Sequence, residues 1–280
     1  MELKREVIED IKSRCDLMGV EFKIEDFDIE FSGQKIILKR YTGNETELFL
    51  NDAFDEVSVN SFMNSKLEFI DLGITKHISN LAFNNSYYLK RVIGKKVNYI
   101  GVEAFKNCFS LECVEFLKLK EIDTNAFSYC NKLKSIIGMD KVIKIHDGAF
   151  SNCDSLETIS LNSLTYLGRK AFIHCTSLKN IGLESLTVLS KRVFSYCYNL
   201  EEIYIPNVIE IKPCAITGCI KLHTIYLKNL NMNLSTQDGL ISLKKVFVNN
   251  DLELIKNTED YKLLSLKGSI SIEEFNNDGE

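Results

Sequence analysis

The residues best suited to chemistry in this chain of 280 are nine cysteines and four histidines. A thiolate can act as nucleophile or metal ligand, and an imidazole as its base, when the fold holds the two together. Six of the cysteines keep a fixed interval instead: Cys108, Cys130, Cys153, Cys175, Cys197 and Cys219. Three residues before them stand the pairs Ala104-Phe105, Ala126-Phe127, Ala149-Phe150 and Ala171-Phe172, then the altered Val193-Phe194 and Ala215-Ile216. Three residues after them stand Leu111, Leu133, Leu156, Leu178, Leu200 and Leu222. The steps are 22, 23, 22, 22 and 22 residues. A cysteine column at one repeat position reads as packing, since a free thiol behaves as a small, readily buried hydrophobe. Cys15, Cys113 and Cys214 lie off the column, and the odd total points to reduced thiols. Rungs about 4.8 Å apart would still place neighbouring cysteines within reach of a bridge.

No other constellation supports catalysis. His77, His146, His174 and His223 occupy different repeat phases, and His174-Cys175 reads as a surface imidazole beside a core thiol. No Cys-x-x-Cys pair, phosphate-cradling glycine loop or nucleophile elbow occurs. The expectation is a protein that is not an enzyme, with no cofactor and no metal. Apolar residues at 45% and charged residues at 26% are ordinary for a soluble fold. A net charge of −5 without a visible basic patch argues against nucleic acid as a partner.

Self-similarity at this period is the signature of a solenoid, whose units bury their apolar faces only by stacking. Each unit divides into three pieces. A strand points Leu, plus three and plus five inward, as at Leu178, Ile181 and Leu183. A turn then leads to a second aliphatic column: Ile78, Ile100, Ile122, Ile145, Leu167, Leu189 and Ile211. The Ala-Phe-x-x-Cys piece closes the unit as one helical or 3₁₀ turn, with Ala small because the adjacent coil passes close by. The 23-residue step predicts a local bulge at Gly138-Met139-Asp140.

The ends differ from the array. Ile8, Ile11, Cys15 and Met18 predict a helix over roughly 3–18, and the alternation from Phe22 to Leu38 around Ser32-Gly33-Gln34 predicts a hairpin. A second helix is expected around 251–265, a last strand near Ile270 and Ile272, and a frayed acidic tail from Glu273. The divisions are therefore an N-terminal helix and hairpin cap over 1–47, repeats over 48–250, and a C-terminal cap and tail over 251–280. Met1 to Met18 shows no apolar h-region and no cleavage site, so a cytoplasmic monomer is expected, or a surface or secreted protein if a leader has been removed. No stretch reaches the length of a membrane span.

The unit Ala-Phe-x-x-Cys-x-x-Leu-x-x-Ile-x-Leu, followed by a turn and an aliphatic residue, resembles the BspA-type leucine-rich repeat over roughly 48–250. That resemblance implies a right-handed α/β solenoid with a parallel β-sheet on the concave face and short helical or 3₁₀ turns on the convex side. It implies protein recognition, often at cell surfaces. The proline common at the strand end in that family survives only as Pro206, and the secretion signal of its surface members is missing.

Within such strands, plus two and plus four point away from the core. The plus-four column ends in Tyr204, Tyr226 and Phe247, an aromatic ladder flanked by Glu202, Thr224 and Lys245. Exposed rings of this kind anchor protein interfaces. Tyr204, Tyr226, Phe247, Glu202 and Lys245, with Arg91 farther along the face, are the candidate partner-binding residues for a protein or peptide. The competing reading has the rings stack on one another beneath the C-terminal cap. Alternatives of other classes are a secreted or surface adhesin, and a cryptic enzyme or sugar-binding module.

Overall fold

The computed structural model describes residues 23–51, 53–227, 245–248 and 271–274. The coils stack into a solenoid because each leaves one row of backbone donors and acceptors open to the next. Three-residue strands Glu47–Phe49, Phe69–Asp71, Arg91–Ile93, Cys113–Glu115 and Ser135–Ile137 pair in parallel as the first part of a main sheet. Asn180–Gly182, Glu202–Ile205, Thr224–Leu227, Lys245–Val248 and Ser271–Glu274 form its second part, also parallel. A second ladder runs along the aliphatic column from Glu56–Val57 to Tyr166–Leu167, and Val188–Leu189 pairs with Glu210–Ile211 beyond it. The predicted hairpin is antiparallel, Phe27–Ser32 against Lys35–Tyr41, and its second strand opens the second ladder by pairing with Glu56–Val57. The expected helices at 3–18 and 251–265 lie outside the described residues.

The core is a spine of repeated side chains. Phe83, Phe105, Phe127, Phe150, Phe172 and Phe194 are fully buried, as are the six column cysteines and their leucines. Phenylalanine rings stack face to face from Phe62 to Phe172, with centroids 4.8 to 5.3 Å apart and planes within 9°. Tyr41 lies against Phe62 at the hairpin end, and Ile216 takes the place of a ring after Phe194. Each Phe N–H donates to the Ala or Val carbonyl of the next coil, at 2.7 Å for Phe105 to Ala126, so that position must be small.

The Ala-Phe-x-x-Cys piece corrects the helical expectation for this side. Among the described residues the helices are two 3₁₀ segments, Ile24–Asp26 and Met139–Lys141, and none is α. Positive φ recurs four residues apart in each coil, at Glu103 and Asn107, Asn125 and Tyr129, Gly148 and Asn152, Lys170 and His174. A left-handed residue at every fourth position breaks any run of helical bonds, and the freed N–H groups reach the adjacent coil. The α/β label therefore gives way to a β-solenoid closed by turns. Among the described residues no helix is long and apolar enough to cross a membrane.

The cysteines do more than fill space. Each Phe carbonyl accepts the N–H of its own Cys three residues on and the thiol of the next coil's Cys; for Phe105 these are Cys108 N at 3.2 Å and Cys130 Sγ at 3.1 Å. Ser86 takes the same place toward Phe62, with its hydroxyl 2.8 Å from the carbonyl. All eight described cysteines are free thiols. Burial pushes Cys130, Cys153, Cys175 and Cys197 well up, and Cys219 up to about 12.

Candidate functional site

The main sheet is interrupted, and the interruption makes the site. Gly138 at φ 91° turns the chain into the 3₁₀ segment Met139–Lys141, which takes up the extra residue of the 23-residue step where the spacing predicts it. In the following coil Thr158, Ile159 and Ser160 adopt no strand, and no ladder joins Ser135–Ile137 to Asn180–Gly182. Among the described residues no backbone N–H from Glu157 to Leu161 finds a carbonyl partner. Small outward residues then leave a depression, because Ser160 and Gly182 stand between the exposed Ile137 and Tyr204 on the plus-four column.

The depression is an open groove of about 560 Å³ whose lining includes Thr158, Ser160, Asn180, Gly182, Glu202, Tyr204 and Tyr226. Tyr204 and Tyr226 are paired in register, half-buried, with ring centroids 5.5 Å apart and planes tilted by 55°. Partial burial, then the negative charge of Glu184, raises the Tyr204 hydroxyl above its ordinary value, so it remains protonated. One wall is thus aromatic with hydroxyl tips, and the floor offers hydroxyls, an amide and unpaired backbone.

Glu202, Tyr204 and Tyr226 are brought together as the spacing predicts. Lys245–Val248 continues the sheet with Thr224 opposite Lys245 and Tyr226 opposite Phe247, while those two side chains lie outside the description. Arg91 is not part of this groove. It sits five rungs away from Glu202, about 24 Å at strand spacing, with its guanidinium 5.8 Å from the Phe69 ring centroid. Thr158, Ser160, Asn180 and Gly182 escaped the sequence reading. Their signal was the dip in side-chain size at Ser160 and Gly182 on the plus-four column, directly after the one irregular step. Ser271–Glu274, near the predicted last strand, pairs beside Lys245–Val248 and so extends the sheet edge.

The histidines serve local contacts on the second ladder and the turns. His146 Nε2 lies 2.8 Å from Glu121, and the Tyr99 hydroxyl donates to Asp123 at 2.8 Å. Burial and the Asp123 carboxylate push Tyr99 up to about 12. Burial alone would raise Asp123, but the Thr124 amide and the Tyr99 hydroxyl outweigh it and hold the carboxyl below its usual range. Among the described residues no three His, Cys, Asp or Glu converge to hold a metal ion.

Parallel strands repeated every 22 or 23 residues over a buried leucine column define a leucine-rich-repeat solenoid. Residues 21–134 and 120–238 match the BspA type leucine rich repeat region in six copies, and the chain belongs to that family. Among solved structures it is similar to a leucine rich repeat protein of T. pallidum, at 26% identity over 72% of this chain and 90% of that one, with a TM-score of 0.59. A leucine-rich repeat protein from Eubacterium ventriosum aligns at 19% identity over 68% of this chain and 70% of that one, with a TM-score of 0.40. A leucine rich cell surface protein from Faecalibacterium prausnitzii aligns at 16% identity over 92% and 95%, with a TM-score of 0.37. No curated protein matches the sequence.

Proposed function

We propose that the chain is a non-catalytic scaffold that holds a protein or peptide on the main sheet, the concave face of solenoids of this kind, with its centre at the interrupted strand. The observation that carries this reading is the groove, where Glu202, Tyr204 and Tyr226 wall a floor of unpaired backbone and small polar side chains. An extended peptide laid there would give its own N–H and C=O groups to the floor and its apolar side chains to the rings. Tyrosine supplies large contact area with little rotamer entropy to lose, which suits it as an anchor. Membership in a leucine-rich-repeat family, whose folds commonly mediate protein interactions, supports the same class.

The test is capture from the native host with wild-type chain and with the Tyr204→Ala/Tyr226→Ala variant. Both substitutions are outward-facing and should leave the unfolding midpoint nearly unchanged. The variant is expected to lose a partner that the wild type retains, with a drop in affinity of at least about 30-fold if each ring contributes about 1 kcal/mol or more. An unchanged set of captured proteins would sink the assignment to this groove.

A further inference from the structure

A second recess lies on the turn side, away from the main sheet. Read linearly, Arg169-Lys170 and Lys191-Arg192 are isolated basic dipeptides in an acidic chain; stacking places them on successive rungs. Together with Lys106, three rungs earlier, they line a cleft of about 610 Å³. The intervening rungs carry Ser128, Gly148 and Ser151 there, beside the exposed ring of Tyr129, so the floor drops between cationic ends. Gly148 sits at φ 65°, a left-handed position where its Lys170 and Arg192 counterparts stand at 57° and 58°. The expectation of a surface without a basic patch does not hold on this side.

The charges are only partly answered within the protein. Asp147 is the one carboxylate in the lining and pairs with Arg169 at 2.9 Å, while Lys106 pairs with Glu103 at 2.7 Å. Among the described residues no carboxylate pairs with Lys170, Lys191 or Arg192. Like charges on neighbouring rungs repel, and an anion between them relieves that repulsion.

The size and surroundings select the kind of anion. The recess spans four rung steps, about 19 Å, and its volume is that of a small-molecule site. A flat bilayer cannot reach its floor. A long polyanion would run off the cleft onto a molecule with 39 acidic against 34 basic residues. Hydroxyl and amide groups of Thr124, Asn125, Ser128 and Ser151 beside the cations suit tetrahedral oxyanions, which accept several hydrogen bonds in different directions.

We propose that this cleft binds a compact ligand carrying two or more phosphate or sulfate groups. The cations at its two ends take separate anionic groups, and the small polar floor accommodates the body that joins them.

Titration calorimetry of the full chain with inositol hexakisphosphate and with inositol hexasulfate tests this and separates the two esters. Saturable binding of either below about 1 mM is expected, with the tighter one naming the ester. Lys170→Asn/Arg192→Asn removes two charges while installing the residue that Asn125 already shows to fit this left-handed position. It should weaken binding at least about tenfold. Lys170→Arg/Arg192→Lys should stay within about threefold of wild type, as should Lys95→Asn/Lys96→Asn on a distant exposed turn. In wild-type protein, saturating ligand should also shield Lys170 and Lys191 from acetylation, a readout independent of any variant's folding. Absence of saturable binding overturns the proposal. So does equal loss in the Lys95/Lys96 control, or shielding of lysines elsewhere instead.

Discussion

At the position three residues after each buried phenylalanine, the side chain must be small, apolar in body and able to donate one hydrogen bond upward. Cysteine meets all three needs, and Ser86 shows that a hydroxyl can meet the last. Cys153→Ser is therefore expected to destabilise less than Cys153→Ala, which forfeits the bond to Phe127 and about 1 kcal/mol with it. Cys153→Val should cost most, since it adds bulk to a filled core and still donates nothing. Urea unfolding of the three variants ranks them, and a serine variant at the bottom of the order would refute the donor role. The same burial sets a pH dependence. Cys219 is held neutral up to about 12 in the folded chain against an ordinary 9.0, so the folded state keeps a proton that the unfolded state releases. Its contribution is complete below pH 9 and is lost as pH rises from 9 toward 12, at about 1.4 kcal/mol per pH unit. Stability of Cys219→Ser measured over that window should fall less steeply than wild type by that amount. Equal slopes would contradict it.

At the scale of elements, the one irregular step governs where the sheet opens. A Cβ at Gly138 would sit 2.4 Å from the Phe116 carbonyl oxygen, at a φ of 91° that side chains avoid. Gly138→Ala is expected to cost about 1–3 kcal/mol and to disturb the groove through the coil that follows. Denaturant unfolding checks the first, and Tyr204 and Tyr226 ring resonances the second. The strands, the second ladder and the buried columns were legible in the sequence because stacking forces each to recur at one interval. The location of the extra residue was legible for the same reason. Its consequence was not, since the loss of pairing at Thr158–Ser160 depends on how the displaced coil meets its neighbour. Left-handed residues were hidden too. Asn107, Asn125 and Asn152 are a recognisable signal, but Glu103, Lys170 and Arg192 occupy the same conformation against their preference, held there by bonds between coils. Of the candidate site, Glu202, Tyr204 and Tyr226 followed from period-two alternation, whereas Arg91 belonged to the same face without belonging to the same place.

At the scale of the molecule, each coil contacts only its neighbours, so stability is a chain of junctions rather than one sum. The junctions are unequal. Around Thr158–Ser160 the main sheet contributes no ladder, and the second ladder joins Ile145 to Leu167 but not Leu167 to Leu189. The coils are held there by the phenylalanine spine, with Phe127, Phe150 and Phe172 at 5.3 and 5.2 Å, and by turn-side bonds such as Phe150 N–H to the Ala171 carbonyl at 2.8 Å. Remove the ring at the middle of that spine and the two parts are left to the buried leucines and the backbone bonds between turns. Phe150→Ala should cost about 3–5 kcal/mol, and most of that loss falls on this junction. Native-state hydrogen exchange should then show two free energies, one for amides of Arg91–Ile93 and Cys113–Glu115 and another for Glu202–Ile205 and Thr224–Leu227, where wild type shows values close together. Thr158 and Ser160 amides should exchange fast in both proteins. A single shared free energy in the variant would mean that the interrupted sheet is not the weak junction, and that the leucine columns and turn-side bonds suffice to keep the coils folding as one unit.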